Sequence, residues 1–206
     1  MAKKDKDPVE ETAEALLDAD AAVAEAVEPY RRTAAVRSVG WLSEAGDQPQ
    51  MRILCAAVIA AGLAGGSKRL TRAGLRMIAA HTLATEAKNV VKKRVDRSRP
   101  RSRGGEDGHK PRPGRNTAKE ETSFPSGHSA GAAAVAAAYA REFPEHRAAA
   151  AAGAGAIALA QIPRSAHYPT DVGAGLALGL LSEALLDPVL DPLFDWLQLS
   201  GEDPDE

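Results

Sequence analysis

Alanine dominates five almost uncharged runs, 51–65, 77–91, 129–140, 148–162 and 172–186, while β-branched and aromatic residues are few and alternating strand patterns are absent. Alanine gives up no side-chain entropy in a helix, so such runs favour helix over strand. Gly65-Gly66, Pro144, Pro163 and Pro188 close four of them. The chain therefore reads as all-α, an up-and-down bundle of about five core helices with flanking amphipathic helices. Helices are expected over 51–65, 70–94, 127–143, 147–162 and 170–186, after an acidic amphipathic helix at 9–28 and a short one at 31–43. A last amphipathic helix is expected within 187–199, and a long polar loop with a mobile middle at 96–124. These divide the chain into an acidic helical extension (1–48), the helical domain (49–187) and an amphipathic segment with an acidic tail (188–206).

The net charge of −2 conceals a segregation: residues 1–28 and 201–206 are acidic, whereas 88–119 is strongly basic. Positive charge gathered in one stretch describes a site rather than a whole surface. The single cysteine, Cys55, cannot form an internal disulfide and lies in an apolar run. The charged start of the chain is followed by acidic sequence and not by an apolar core, so no secretory signal peptide is expected.

Three separated motifs carry the chemistry: Lys92 with Arg99-Pro100, Pro125-Ser126-Gly127-His128, and His167 with Asp171. Lys92 supplies a point charge for phosphoryl oxygens and Arg99 a planar fork. Gly127 and His128 open a helix, so their N–H groups, with the Ser126 hydroxyl, favour an anion at that point. His128 is suited to general acid. His167 is suited to attack phosphorus if its second nitrogen is held as a donor, and Asp171, four residues on, can accept that N–H. Each piece has a plainer reading. His167 and Asp171 resemble a core histidine beside a helix cap, Ser126 an ordinary cap, and the basic stretch a solvated run. The last reading is assigned to Lys93, Arg94, Arg97, Arg101 and Arg103. His81, His109 and His146 read as surface or packing residues. No Cys/His or paired-carboxylate spacing points to a metal, and no Walker or dinucleotide fingerprint is present, so neither metal nor cofactor is expected.

The order and spacing of these motifs resemble the type 2 phosphatidic acid phosphatase family over roughly residues 50–187. That family's first motif, Lys, six residues, Arg-Pro, is matched fully by Lys92 to Pro100, and its second, Pro-Ser-Gly-His, at 125–128. The third, Ser-Arg, five residues, His, three residues, Asp, keeps only its latter half as His167 and Asp171; Ala160-Gln161 stand where Ser-Arg belongs. The resemblance implies a metal-independent phosphatase acting on a lipid phosphate or diphosphate of the phosphatidate, phosphatidylglycerol phosphate or polyprenyl phosphate type. His167 would be the nucleophile backed by Asp171, passing through a phosphohistidine. Gln161 can donate hydrogen bonds but no charge. Arg164, one helical turn nearer His167, is the candidate replacement. Other readings are a non-catalytic anion-binding membrane protein of the same fold, a vanadium haloperoxidase-like enzyme, and a soluble acid phosphatase. Nucleic-acid binding by 88–119 is disfavoured because that stretch lacks aromatic residues for base stacking.

Membrane residence is argued from both sides. Each apolar run is shorter than the roughly 20 residues of a full crossing, and the mean hydropathy is −0.27. Small residues are, however, what closely packed membrane helices use, and the resemblance implies an integral protein of a bacterial-type inner membrane, with lipids as partners. Lys68, Arg69, Arg72 and Arg76 mark 67–76, read as a loop, as cytoplasmic, which places the site on the outer face.

Overall fold

The computed structural model describes residues 7–102 and 108–199. Eight α-helices follow in order: α1 Pro8–Val27, α2 Ala34–Ser43, α3 Gln48–Gly65, α4 Lys68–Lys92, α5 Gly127–Glu142, α6 Arg147–Leu159, α7 Pro169–Ala184 and α8 Asp187–Trp196. Polar caps open several of them. The Asp7, Thr33, Ser67 and Ser126 side chains accept first-turn N–H groups of α1, α2, α4 and α5. Pro49 and Pro169 lie in the first turns of α3 and α7, where a missing N–H costs nothing. Helix α6 ends at Leu159, and the next residues run through turns toward His167. The loop after α4 contains a two-residue antiparallel pairing, β1 Val95–Asp96 with β2 Arg112–Pro113. Its middle, expected to be mobile, includes 103–107, and the acidic tail lies in 201–206; both are outside the described residues.

Helix α5 forms the centre, packed by α4, α6 and α7. Its alanines 130, 132, 133, 134 and 138 are buried. Close approach comes from absent side chains. A Cβ on Gly175 would lie 2.5 Å from the Ser126 carbonyl oxygen, and one on Gly179 2.3 Å from that of Ala130. Helices α5 and α7 thus meet backbone to backbone through a small-xxx-small face. The α3–α4 hairpin turns at Gly66, which has φ +70°.

The segment 67–76 is the first part of α4 rather than a loop. Arg76 is fully buried there and pairs with Glu142 at 3.0 Å, Asp187 at 2.7 Å and also Asp191. This charge cluster ties α4, α5 and α8 together at the end of the bundle away from the three motifs. Those motifs sit where α4 ends and where α5 and α7 begin, so alternating helix direction delivers all three to one end.

Gly179→Ala is expected to destabilise the fold by about 1–3 kcal/mol through overpacking against Ala130. Gly173→Ala, with nothing within 4 Å of the new methyl, should stabilise by up to about 1 kcal/mol. Thermal unfolding of the purified variants measures both.

Candidate active site

The chain leaves α4 and runs extended through Arg97 and Arg99, fastened to the segment before α5. Arg97 N donates to the Glu121 carbonyl at 2.8 Å, Arg99 N to that of Glu120 at 2.8 Å, and Ser123 N to that of Arg97 at 2.9 Å. In extended backbone, residues two apart face the same side. Arg97 and Arg99 accordingly both turn inward and both are buried.

Arg99 reaches the reacting end of the site. Its Nε donates to the Lys119 carbonyl at 2.8 Å and its Nη1 to the Ala166 carbonyl at 3.0 Å, with Nη1 also 3.3 Å from Nε2 of His167. His167 is buried, and its Nδ1 lies 3.6 Å from Oδ2 of Asp171, an ion-pair separation somewhat longer than a hydrogen bond. The tautomer consistent with these neighbours carries its proton on Nδ1 toward Asp171 and leaves the Nε2 lone pair facing Arg99. Burial pushes the His167 imidazole down to about 4, with the Asp171 carboxylate pulling the other way and Arg99 adding to the fall. The ring is therefore neutral at ordinary pH.

Asp171, in the first turn of α7, is fully buried and oriented on both oxygens. Oδ2 accepts from the Tyr168 N–H at 2.9 Å and from the Ser123 hydroxyl, and Oδ1 accepts from Arg97 Nη1 at 2.5 Å. Its backbone carbonyl accepts from Ser126 N at 3.0 Å, joining the start of α7 to the start of α5. Ser126 is buried as the α5 cap, and its hydroxyl lies 2.9 Å from that of Ser129. The first-turn N–H groups of Gly127 and His128 have no acceptor within the helix. His128 places Nε2 2.9 Å from Oδ1 of Asp47, at the start of α3. Lys92 ends α4 with its ammonium on the Thr122 carbonyl and 3.4 Å from that of Ser123. Burial, with Arg99 and Lys88 nearby, pushes that ammonium down to about 7.

The two residues considered for the missing cation are held elsewhere. Gln161 is buried, its Nε2 donating to the Ile157 carbonyl at 3.0 Å, while its own carbonyl accepts from the N–H groups of Ala166 and His167. Gln161 thus shapes the turn that presents His167. The guanidinium of Arg164 is engaged by α2 and its end, with Nη1 on the Ser43 hydroxyl at 2.7 Å and Nη2 3.5 Å from Glu44.

Arg97 corrects its assignment to a solvated run. It is 1 % exposed and donates to Asp20 at 2.7 Å, Thr170 at 2.8 Å and the His109 carbonyl at 2.6 Å as well as to Asp171, with its guanidinium 4.1 Å from the centre of the Tyr168 ring. Asp20, from the acidic helix α1, is 1 % exposed and also accepts the Thr170 N–H at 3.0 Å. Through Asp20, the one buried residue of an otherwise mostly exposed helix, the N-terminal extension reaches the site. The extended-strand rule was the available signal for Arg97, since a chain that sends Arg99 inward sends Arg97 the same way. Asp20 carries no comparable signal among its acidic neighbours. Of the other histidines, His81 is buried against Gly131, His146 bonds Tyr139 at 2.8 Å, and His109 serves Arg97 through its carbonyl. Among the described residues no group of three or more His, Cys, Asp or Glu is arranged to hold a metal ion.

Arg97→Leu leaves the Asp20 and Asp171 carboxylates buried without their common cation and should cost about 3–5 kcal/mol of stability. Asp20→Asn, which keeps an acceptor for Thr170 and Arg97, should cost less. Denaturant titration compares them, and wild-type stability in Arg97→Leu would return Arg97 to the solvent.

Two proteins named lipid A 1-phosphatase, from Rhizobium etli and Rhizobium johnstonii, are each 46% identical to this chain over 57 residues, or 28% of it. The match covers 25% and 23% of those proteins, so the chain spans about a quarter of the length of the curated relatives it matches. The crystal structure of a transmembrane PAP2 type phosphatidylglycerolphosphate phosphatase from Bacillus subtilis superposes with a TM-score of 0.59 at 20% identity, covering 89% of this chain and 88% of that one, and shares its fold. The family model of the PAP2 superfamily matches residues 54–189, which contain all three motifs, and the chain belongs to that superfamily.

Proposed function

We propose that this protein is a metal-independent lipid phosphatase that hydrolyses a lipid phosphate monoester or diphosphate through a phosphohistidine on His167. The observation that carries the reading is the position of the neutral His167 ring, with Asp171 behind Nδ1 and Arg99 3.3 Å from Nε2, beside the amide-bearing start of α5. Nε2 attacks phosphorus as Arg99, Lys92 and the Gly127 and His128 N–H groups take the phosphoryl oxygens and the charge that grows on them. His128 protonates the leaving oxygen; burial lowers the pKa of its imidazole, and Asp47 at 2.9 Å works against that fall by favouring the charged form. Asp171 stabilises the imidazolium character that develops on His167. Water then attacks the phosphohistidine, with His128 as the base, and inorganic phosphate leaves. The substrate class follows the names of the relatives, and phosphatidate, phosphatidylglycerol phosphate, polyprenyl phosphate and lipid A 1-phosphate all fit a site that reads only the phosphoryl group.

The protein is proposed to span a bacterial inner membrane. Large apolar side chains stay exposed on the helices, among them Ile53, Leu63, Leu159, Leu180, Leu185 and Trp196. One helical stretch of the described residues, Pro169–Trp196, is long and apolar enough to cross. Lys92 and His167 lie beyond the ends of the apolar runs. Lys68, Arg69 and Arg72 at the opposite end favour a cytoplasmic location for that end, and the site then faces outward.

Gln161 favours a second reading, an anion-binding protein without turnover. Phosphate release from lipid phosphates by the detergent-purified chain in EDTA separates the two. The enzyme reading predicts release that His167→Ala abolishes, whereas no release above the His167→Ala background favours the second. The dependence of kcat/KM on pH should be a bell. It falls in acid as His167 gains a proton near pH 4, and falls again as pH rises and first His128, whose pKa burial lowers, and then Lys92, near pH 7, lose theirs. A profile still climbing well above neutrality would contradict the role of Lys92.

A further inference from the structure

The family's third-motif arginine is missing, and each residue near its place has another occupation. Gln161 bonds its own helix, Arg164 is held by Ser43 and Glu44, and the Lys92 ammonium rests on two carbonyls. Lys88 does not share that condition. It lies one turn before Lys92 on the same face of α4 and extends across the α4–α5 contact to the first turn of α5. A methyl built on Gly127 would stand 3.2 Å from Lys88 Cδ and 3.7 Å from its Nζ. The glycine of the Pro-Ser-Gly-His turn therefore leaves the room through which Lys88 reaches the anion end of α5. No hydrogen bond or ion pair to the Lys88 ammonium occurs among the described residues.

A half-buried ammonium with no hydrogen-bonded counter-ion, only the exposed Glu86 on its own helix acting from a distance, is electrostatically unfavourable when held against the positive end of a helix dipole. An arriving phosphate reverses the sign of that interaction, because the ammonium and the Gly127 and His128 N–H groups then converge on one anion. We propose that Lys88 is the third cation of the phosphoryl site and takes over the charge lost at Gln161. The proposal rests on the phosphatase reading for its catalytic consequence and on geometry alone for its binding consequence. Lys88 contacts a phosphoryl oxygen on the α4 side of the site, opposite the oxygen met by Arg99, and its charge acts in the ground state and in the transition state.

The test uses the full chain in detergent and reads two quantities, binding of inorganic phosphate by calorimetry and kcat/KM for a lipid phosphate. Lys88→Met should weaken phosphate binding at least about tenfold and lower kcat/KM about a hundredfold, the effect expected when one charged donor to the transition state is removed. Lys88→Arg should retain most of both, and adding Gln161→Arg to Lys88→Met should recover part of the loss. Phosphate affinity unchanged in Lys88→Met overturns the proposal, as does lost turnover at unchanged affinity. If Lys88→Met does not fold, Lys88→Gln is read by the same two measurements. Absence of turnover in every variant, wild type included, defeats the phosphatase reading and leaves phosphate binding to decide on Lys88.

Discussion

The buried guanidinium of Arg97 is the interaction on which the geometry of the site depends. It sits between two carboxylates from opposite ends of the chain, Asp20 of α1 and Asp171 of α7, and its Nε–H goes to a carbonyl of the long loop. Each of these ions would be strongly disfavoured alone in so dry a place. Together they satisfy one another, and no member moves without exposing the rest to that cost. The consequence reaches the chemistry because the second oxygen of Asp171, fixed by Tyr168 N and Ser123, is the one that faces Nδ1 of His167. Rigid backing of Asp171 is what keeps the histidine in one tautomer, with the Nε2 lone pair directed toward Arg99.

The bundle answers a different constraint, that three motifs far apart in sequence must meet within hydrogen-bond reach. Small residues achieve this by letting α4, α5 and α7 approach closely, so that the starts of α5 and α7 lie side by side and Ser126 N reaches the Asp171 carbonyl. The same alanine and glycine content leaves weak hydrophobicity along the helices. That is why the apolar runs look short for a membrane crossing although the bundle exposes many large apolar side chains. Charge is concentrated at the two ends, in the Arg76 cluster and in the site.

Much of this was legible from residues alone. Gly65-Gly66, Pro144 and the caps before α4 and α5 mark helix ends locally, and the observed bounds follow them closely. Residues such as His167 and Asp171 declare themselves because their spacing sets one above the other at a helix start. Proline misleads where it opens a helix, as Pro49 and Pro169 do, and alanine misleads where tertiary turns end a run early, as after Leu159. Asp20 and Arg97 stayed hidden for a physical reason. Their partnership spans 77 residues, and a buried carboxylate in an acidic helix looks like its solvated neighbours until the fold supplies the cation. Lys88 was similarly masked as the first residue of the basic run 88–119.

The central claim is that phosphorus is transferred to His167. It is tested most directly by mixing the purified chain with a lipid phosphate, quenching in alkali within the first turnovers, and locating any phosphoryl adduct by mass spectrometry. The account predicts an acid-labile, alkali-stable adduct on the peptide that carries His167, absent from His167→Ala. Turnover with no adduct at any quench time, or an adduct on another residue, would contradict it.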